Sequence, residues 1–320
     1  MEGIGRRDAV AGAAALAAAL SAPGVLRAQG AFDLAIVGFQ MSSETHARVA
    51  NAAAGAARAK GWNVTVLNSE GSLPRHAEQL DALIQRRPGA IIAAMGKPVE
   101  AEAQFQRARA AGIPVVTVMA GSSAHTLFDI QVNEYKVGAD AALWLLGELN
   151  YQGNILTQRF EGNVGTRIRG KVLDVVLSEN QAVRVLASHT MARTQSWRDD
   201  VRQGFQALLL RHGANIQGIW ASFDGQAFVI DDLLRARGVR KGQVKFVSID
   251  GGAETFRRIA DPESTLQATV VIPFEEMGTR AVDAIERIVL QRQPRESVTS
   301  GPYLFLDAFL VDGNNVRRFV

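Results

Sequence analysis

The side chains best suited to bind a small molecule in this sequence follow short apolar segments. Residues just beyond the carboxyl ends of parallel strands line the ligand crevice of an open α/β sheet. Charged groups there make strong hydrogen bonds to hydroxyls and flat rings cover carbon–hydrogen faces, so the pattern predicts a site for a small polyhydroxy ligand. The candidates are Phe39, Gln40, Ser42, Met119 and Ser122 in the first half of the chain, and Arg167, Arg193, Phe223, Asp224 and Asp250 in the second.

Most of these candidates also have a purely structural explanation. Each candidate aspartate could cap a helix, because Asp is a favoured N-cap residue. The two candidate phenylalanines could be buried in a core. Arg167 and Arg169 lie two residues apart at a helix start and do not share a helix face, so Arg169 could pair at the surface. The sequence leaves these alternatives open.

The chain lacks the sequence signatures of catalysis. It contains no Gly-x-Ser-x-Gly, no His-Glu-x-x-His and no Gly-x-x-x-x-Gly-Lys phosphate loop, and its first apolar segment lacks the glycines of a dinucleotide site. The five histidines are scattered, which favours surface or loop positions over metal ligands. We therefore expect a protein that is not an enzyme and that uses neither a cofactor nor a metal.

The charge of the chain is nearly balanced. There are 35 Lys and Arg against 32 Asp and Glu, a formal net charge of +3, with no block of like charge. A nucleic-acid surface needs clustered basic residues to neutralise phosphates, so a nucleic-acid partner is not expected. The chain has no cysteine, which fits an oxidising compartment because no thiol can mispair there.

Residues 1–28 have the pattern of an export signal. Arg6 and Arg7 precede an apolar stretch, Ala9–Ala22, and a small-residue cleavage site ends at Ala28. This stretch is shorter than the roughly 20 residues needed to span a bilayer, so a cleaved signal is favoured over a membrane anchor. The adjacent arginines resemble a twin-arginine signal, and the choice between that route and general secretion stays open.

A strand-then-helix alternation runs twice through the rest of the chain. Apolar segments begin near residues 33, 63, 89 and 114, and the alternation resumes near 153, 183, 217, 244 and 266. Buried strands joined by helices indicate parallel sheets covered on both faces. We expect an α/β fold with two doubly wound parallel-sheet lobes joined by a hinge.

Each expected lobe is formed by two separate segments of the chain. Residues 31–133 plus 272–297 form the N-terminal lobe, and residues 134–271 plus 298–320 form the C-terminal lobe. One late strand is expected over Tyr303–Val311. Two lobes with a cleft between them are typical of proteins that close around a ligand by hinge motion.

Several segments, in their order and spacing, resemble one known family. They are Leu34–Gly38, Ala111–Thr117, Gly165–Gly170, Ile219–Asp224 and Val247–Gly251. Together they resemble the periplasmic substrate-binding proteins of the ribose-binding type, whose type I fold serves sugar importers of the ATP-binding-cassette (ABC) class. The resemblance implies a periplasmic protein with a permease and an ATPase as partners, and we expect it to be a monomer.

The resemblance also implies roles for individual residues. The family's hinge-proximal arginine falls on Arg167, and the aspartate that binds sugar hydroxyls falls on Asp250. Met119 stands where ribose-type binders begin an Asp-Arg pair, Phe223 replaces an asparagine, and a glutamine near 270–271 is missing. Ribose hydroxyls left without partners would cost about 1 to 3 kcal/mol each. The expected ligand is therefore a different carbohydrate, such as a sugar alcohol or a less polar sugar derivative.

Three other functions share parts of this pattern. A sugar-responsive regulator has similar lobes but needs an N-terminal helix-turn-helix, and a secreted carbohydrate-acting enzyme would turn its ligand over. A sensory binding protein that presents its ligand to a receptor is not distinguished by sequence. The expected function is an exported solute-binding protein that delivers a small carbohydrate or sugar alcohol to an ABC importer, with added hydrogen bonds from Gln40, Ser42 and Ser122.

Overall fold

Two predominantly parallel sheets, each with helices packed on it, position the candidate residues. The computed structural model describes residues 31–96, 98–192 and 195–320, so the expected signal at 1–28 and the candidate Arg193 lie outside the described residues. Residues 33–320 form one compact unit. The expected fold class, α/β with two doubly wound sheets, is confirmed.

The first lobe is built on a six-stranded sheet. Its strands are β1 (Asp33–Gly38), β2 (Asn63–Asn68), β3 (Ala90–Ala94), β4 (Val115–Val118), β5 (Asp129–Val132) and β11 (Tyr303–Leu306). They are ordered β11-β5-β4-β3-β1-β2, and all neighbours are parallel. The helices of this lobe are α1 (Glu44–Ala59), α2 (Leu73–Arg86), α3 (Pro98–Ala110) and α9 (Phe274–Ile285).

The second lobe repeats this arrangement. Its strands are β6 (Gly153–Arg159), β7 (Val183–Thr190), β8 (Gly218–Ala221), β9 (Lys245–Asp250), β10 (Ala268–Val271) and β12 (Phe309–Asp312). Their order is β12-β10-β9-β8-β6-β7, with only the β10–β12 pair antiparallel. The helices are α4 (Glu134–Glu148), α5 (Val164–Ser178), α6 (Trp197–His212), α7 (Asp224–Ala236) and α8 (Ala253–Ala260).

The sequence explains why the strands are buried and where the helices begin. In β1, Leu34 to Val37 are all at most 1% exposed, as expected of a parallel strand covered on both faces. The side chain of Asn133 accepts hydrogen bonds from the backbone N–H groups of Tyr135 and Lys136, which caps α4. Each apolar segment thus becomes a central strand, and a cap fixes where the next helix starts.

The chain passes between the lobes three times, and the third crossing differs from the expected one. The first two crossings join β5 to α4 and β10 to α9. The late strand expected over Tyr303–Val311 is two strands, of which β11 pairs in the first sheet and β12 in the second. The expectation that all of 298–320 belongs to the C-terminal lobe is therefore wrong for β11. The apolar run contains no Gly or Pro that would have signalled the crossing at 307–308.

Close helix packing within each lobe depends on glycine. A Cβ on Gly138 of α4 would lie 3.0 Å from the Cα of Arg169 on α5. In the first lobe, Gly278 of α9 lies against the backbone of α1 in the same way. Among the described residues, no helix combines the length and the apolar character needed to cross a membrane.

Candidate ligand-binding site

The loops at the carboxyl ends of the two sheets face each other. Arg48 lies on α1, which follows β1, and donates from Nη1 to the carbonyl oxygen of Gly251 at 2.5 Å. Gly251 directly follows β9. A Cβ on Gly252 would lie 3.3 Å from Oε1 of Glu44, so this turn packs against the first turn of α1. The carboxyl ends of β1 and β9 therefore meet between the lobes, at the edge where open α/β sheets bind ligands. We call the region between these two edges the cleft.

A buried guanidinium joins four elements on the second lobe's side of the cleft. Arg169 is 3% exposed and donates from Nε and Nη2 to the two carboxylate oxygens of Glu134, at 2.6 and 3.0 Å. Its Nη1 donates to the carbonyl of Ser222 at 3.0 Å and to Oδ1 of Asp250 at 3.3 Å. We call Glu134, Arg169 and Asp250 the buried triad. It fixes the orientation of Asp250 at the end of β9.

Of the two arginines at the start of α5, Arg169 differs from the expectation. Arg169 does not pair at the surface, because its guanidinium lies inside the buried triad. Arg167 is half-buried and donates from Nη1 to the carbonyl of Glu161 at 2.9 Å. Residues two apart on a helix point in different directions, so one of them reaches Asp250 and the other does not. A ligand contact by Arg167 stays a prediction.

Asp250 keeps part of its carboxylate accessible. Its side chain is 11% exposed although Oδ1 accepts from Arg169. Burial raises the pKa of Asp250, the guanidinium lowers it, and the carboxylates of Asp224 and Glu134 raise it again, with a net upward shift. A carboxyl group can accept a hydrogen bond from a hydroxyl when ionised and donate one when protonated. Asp250 can therefore bind a hydroxyl in either state.

Asp224 is an internal anchor for the turn that follows β9. It is 4% exposed and accepts from the hydroxyls of Ser248, Thr255 and Thr269 and from the backbone N–H of Gly251. That turn contains three consecutive residues with positive φ, 132° at Asp250, 72° at Gly251 and 146° at Gly252. Glycine adopts such angles freely, whereas at Asp250 the conformation is costly unless surrounding contacts hold it. The N-cap positions of α7 and α8 have no side-chain cap bond, so neither candidate aspartate caps its following helix.

Three aromatic rings lie together at the carboxyl edge of the second sheet. Phe223 packs edge-to-face on Phe160, with 6.2 Å between ring centroids, and on Trp197 at 5.6 Å. All three are only partly buried against the core of this lobe. Phe223 thus contributes to the core and also keeps an accessible face. The sequence analysis identified Phe223 but missed Phe160 and Trp197.

Two histidines, the buried His76 and the half-buried His46, support the candidates that follow β1. Phe39 is half-buried and packs edge-to-face on His76, with 5.6 Å between ring centroids. The backbone N–H of Gln40 donates to Nδ1 of His46 at 3.3 Å. Burial lowers the pKa of both histidines to about 4, so both are neutral at pH 7. His76 is 1% exposed, so the expected surface or loop position is wrong for this residue.

A buried carboxylate supports the loop that follows β4. Met119, with φ of 52°, and Ser122 are half-buried in this loop, whereas Ser42 beyond β1 is exposed. The backbone N–H of Ala120 donates to Oδ1 of Asp129 at 3.1 Å. Burial raises the pKa of Asp129 to about 6, and no described residue donates to its Oδ2. The sequence analysis missed Asp129 because it begins a strand.

We expect Asp129→Asn to remove part of the pH dependence of stability. The pKa of this carboxyl is 3.8 as a reference value and about 6 in the folded protein. Between these values the folded state binds more protons than the unfolded state, so the free energy of unfolding falls as the pH rises. The contribution is at most about 1.4 kcal/mol per pH unit. Urea unfolding of both proteins between pH 4 and 7 measures it, and equal pH slopes would contradict the assignment.

Comparison with known proteins identifies the family of this chain. A profile described as a periplasmic binding protein domain matches residues 34–293. The chain belongs to the periplasmic binding protein family. The xylitol-binding protein of Mycolicibacterium smegmatis is 30% identical over 196 residues, which are 59% of this chain and 52% of that protein. The chain thus spans about half the length of this curated relative.

Solved structures of other periplasmic binding proteins share the fold. A solute-binding protein of an ABC transporter from Agrobacterium vitis, with bound allitol, has a TM-score of 0.77 at 23% identity and covers 90% of this chain and 97% of its own. The 5-methylthioribose transporter solute-binding protein from Thermotoga lettingae, in complex with 5-methylthioribose, has a TM-score of 0.78 at 20% identity, covering 89% and 86%. The expected resemblance to periplasmic binding proteins is confirmed.

Within this periplasmic binding protein, sequence reasoning missed Glu134 of the buried triad. One sequence signal could have found it. Glu134 follows the capping Asn133 directly after the first crossing between lobes, in the first turn of α4. The residue is 7% exposed, and a buried acid at such a position needs a cationic partner.

Proposed function

We propose that this chain is an exported solute-binding protein that captures a small carbohydrate or sugar alcohol between its lobes and delivers it to an ABC importer. The observation that supports this most strongly is the partly exposed carboxylate of Asp250, which Arg169 orients at the cleft. Hydrogen bonds that hydroxyls donate to an ionised carboxylate are charge-assisted and stronger than neutral ones. A relative named as a xylitol-binding protein, and a protein of the same fold that was solved with bound allitol, favour a polyol among the possible carbohydrates.

The proposed binding residues come from both sides of the cleft. Asp250, on the second lobe, accepts hydrogen bonds from hydroxyls of the ligand. The partly exposed rings of Phe223 and Phe39 cover the ligand's carbon–hydrogen faces from opposite sides. Asp224 contributes indirectly because four protein donors occupy its carboxylate. The remaining proposed contacts are Gln40, Ser42, Met119, Ser122, Arg167 and Arg193.

The proposal includes the cellular context that family membership implies. Export through residues 1–28 places the protein in the periplasm, where a permease and an ATPase of the ABC class are its partners. Binding occurs without turnover, and the protein acts as a monomer. Capture and release require the lobes to move about the three crossing segments, which is the usual hinge closure of such proteins.

A melting screen tests the proposed ligand class. A polyol such as xylitol or allitol, at about 100 times its dissociation constant, is expected to raise the free energy of unfolding by about 2.7 kcal/mol. Ribose is expected to give a smaller shift, because Met119 offers no hydrogen bond where ribose-type binders have an acidic group. Thermal unfolding monitored across a panel of sugars and alditols measures both.

The same screen contains its own controls. An excluded osmolyte that is not a carbohydrate, such as trimethylamine N-oxide, at equal concentration reports the unspecific stabilisation that excluded cosolutes cause. Stabilisation by ribose alone would overturn the polyol assignment, and no specific stabilisation by any carbohydrate would overturn the proposed function. Conversion of a stabilising carbohydrate during incubation would favour an enzyme instead.

A further inference from the structure

Arg48 is held in place by the first lobe. Its Nε and Nη2 donate to the two carboxylate oxygens of Glu275 on α9, at 2.6 and 2.9 Å. Its guanidinium carbon lies 5.1 Å from the ring centroid of Phe274, within cation–π distance. The side chain is 16% exposed. Two parallel bonds and a ring face therefore fix the direction of this guanidinium relative to the first lobe.

The remaining nitrogen of Arg48 reaches the other lobe. Nη1 donates to the carbonyl oxygen of Gly251 at 2.5 Å, and Gly251 is the residue directly after Asp250. The N–H of the same Gly251 donates to Asp224 at 2.7 Å, from within the second lobe. In the turn after Asp250, the N–H of Gly251 is thus hydrogen-bonded to the second lobe and its carbonyl oxygen to the first.

We propose that Arg48 is a positioning residue that holds the two lobes together over the ligand and sets how long the ligand stays bound. Arg48 moves with the first lobe and Gly251 with the second, so their bond exists only while the two loops are adjacent. The bond therefore stabilises the arrangement in which the two loops are adjacent. A ligand that binds this arrangement binds more tightly because the bond raises the fraction of protein that has it. The role of Arg48 in ligand binding rests on the proposed function, whereas its role in lobe arrangement does not.

The ligand-binding test compares two arginines of the same helix. Arg48→Met keeps an unbranched side chain beside Phe274 but removes the charge-assisted bond between the lobes, together with the pair to Glu275 within the first lobe. It is expected to weaken polyol binding about tenfold. The loss should appear mainly as faster dissociation. Arg58→Met replaces an exposed arginine in the last turn of α1 and is expected to leave affinity unchanged. Stopped-flow binding of the polyol that stabilises the wild type measures these rates.

A second measurement requires no ligand. Because the chain has no cysteine, Arg75→Cys and Thr190→Cys place spin labels at two exposed positions. Arg75 lies in the first turn of α2, the helix that follows β2, and Thr190 is the last residue of β7. β2 and β7 are the sheet edges farthest from the crossing between β11 and β12. In double electron–electron resonance of the apo protein, Arg48→Met is expected to lengthen and broaden the distance between labels. The Arg58→Met background should match the wild type.

The outcomes separate the two proposals. If the wild type binds no carbohydrate, the proposed function fails, and the label distances still decide whether Arg48 joins the lobes. If the wild type binds a polyol and Arg48→Met binds it with the same dissociation rate, the proposed role of Arg48 in binding is wrong. Identical label distances in Arg48→Met and the wild type overturn its role in lobe arrangement.

Discussion

Arg169→Met is expected to lower the free energy of unfolding by about 3 to 5 kcal/mol, the usual cost of removing one partner from a buried ion pair. The guanidinium is 3% exposed and is the cation of Glu134, at 2.6 and 3.0 Å, and of Asp250 at 3.3 Å. Without it, two buried carboxylates lose the cation to which both are hydrogen-bonded. Because methionine fills much of the space of the arginine side chain, the loss of stability reports the removed charge more than a change in side-chain volume. Urea unfolding at pH 7 measures it.

The neighbouring arginine provides the control. Arg167→Met removes a half-buried side chain whose bond goes to the carbonyl of Glu161, and it is expected to change stability by at most about 0.5 kcal/mol. Adding Glu134→Gln to Arg169→Met should cost less than the sum of the two single changes, because the pair is coupled. Equal stability of Arg167→Met and Arg169→Met, or strict additivity in the double variant, would contradict the buried triad. If Arg169→Met fails to fold, Arg169→Lys supplies the comparison.

Asp250→Asn is expected to weaken ligand binding by about 1.5 to 3 kcal/mol, or roughly 10- to 150-fold, which is the range for a hydrogen bond to a charged group. The amide keeps the shape of the carboxyl group but loses its charge and one acceptor oxygen. Isothermal titration calorimetry measures the change, with the polyol that gives the largest shift in the melting screen.

The stability of Asp250→Asn distinguishes a binding role from a structural one. Asp250 shares the guanidinium of Arg169 with Glu134, and burial together with the nearby carboxylates of Asp224 and Glu134 raises the pKa of Asp250 in the folded protein. A raised carboxyl pKa means that stability is lost as the pH rises above the unfolded value, so removal of the charge should not lower stability at pH 7. The exposed Asp283→Asn on α9 is the control and should leave affinity unchanged. Unchanged affinity of Asp250→Asn would make Asp250 a structural residue only.

The fold could be predicted from sequence because its signals are local. Strands such as Leu34–Val37 are apolar throughout, and that pattern belongs to parallel strands covered on both faces. Helix ends carry their own marks, as where Pro74 enters α2 and Arg87 closes it with a left-handed φ of 53°. Two rounds of this alternation were enough to indicate two lobes and to bring the end of β9, with Asp250, to the cleft.

The parts that sequence could not give depend on contacts between distant segments. The choice between Arg167 and Arg169 depends on the rotation of α5 relative to Glu134, which lies 35 residues away. The split of the late strand into β11 and β12 depends on which sheet has a free edge nearby. Asp129 is likewise buried by a loop that folds back over it. None of these arrangements leaves a periodic signal in the sequence.

A crystal structure of the protein with the polyol that stabilises it most in the melting screen tests the central claim most directly. The account predicts the ligand between the carboxyl edges of the two sheets, with a hydroxyl oxygen within about 3 Å of the carboxylate of Asp250. It also predicts the rings of Phe39 and Phe223 on opposite sides of the ligand. A ligand bound outside this cleft, or inside it with Asp250 making no polar contact, would contradict the account.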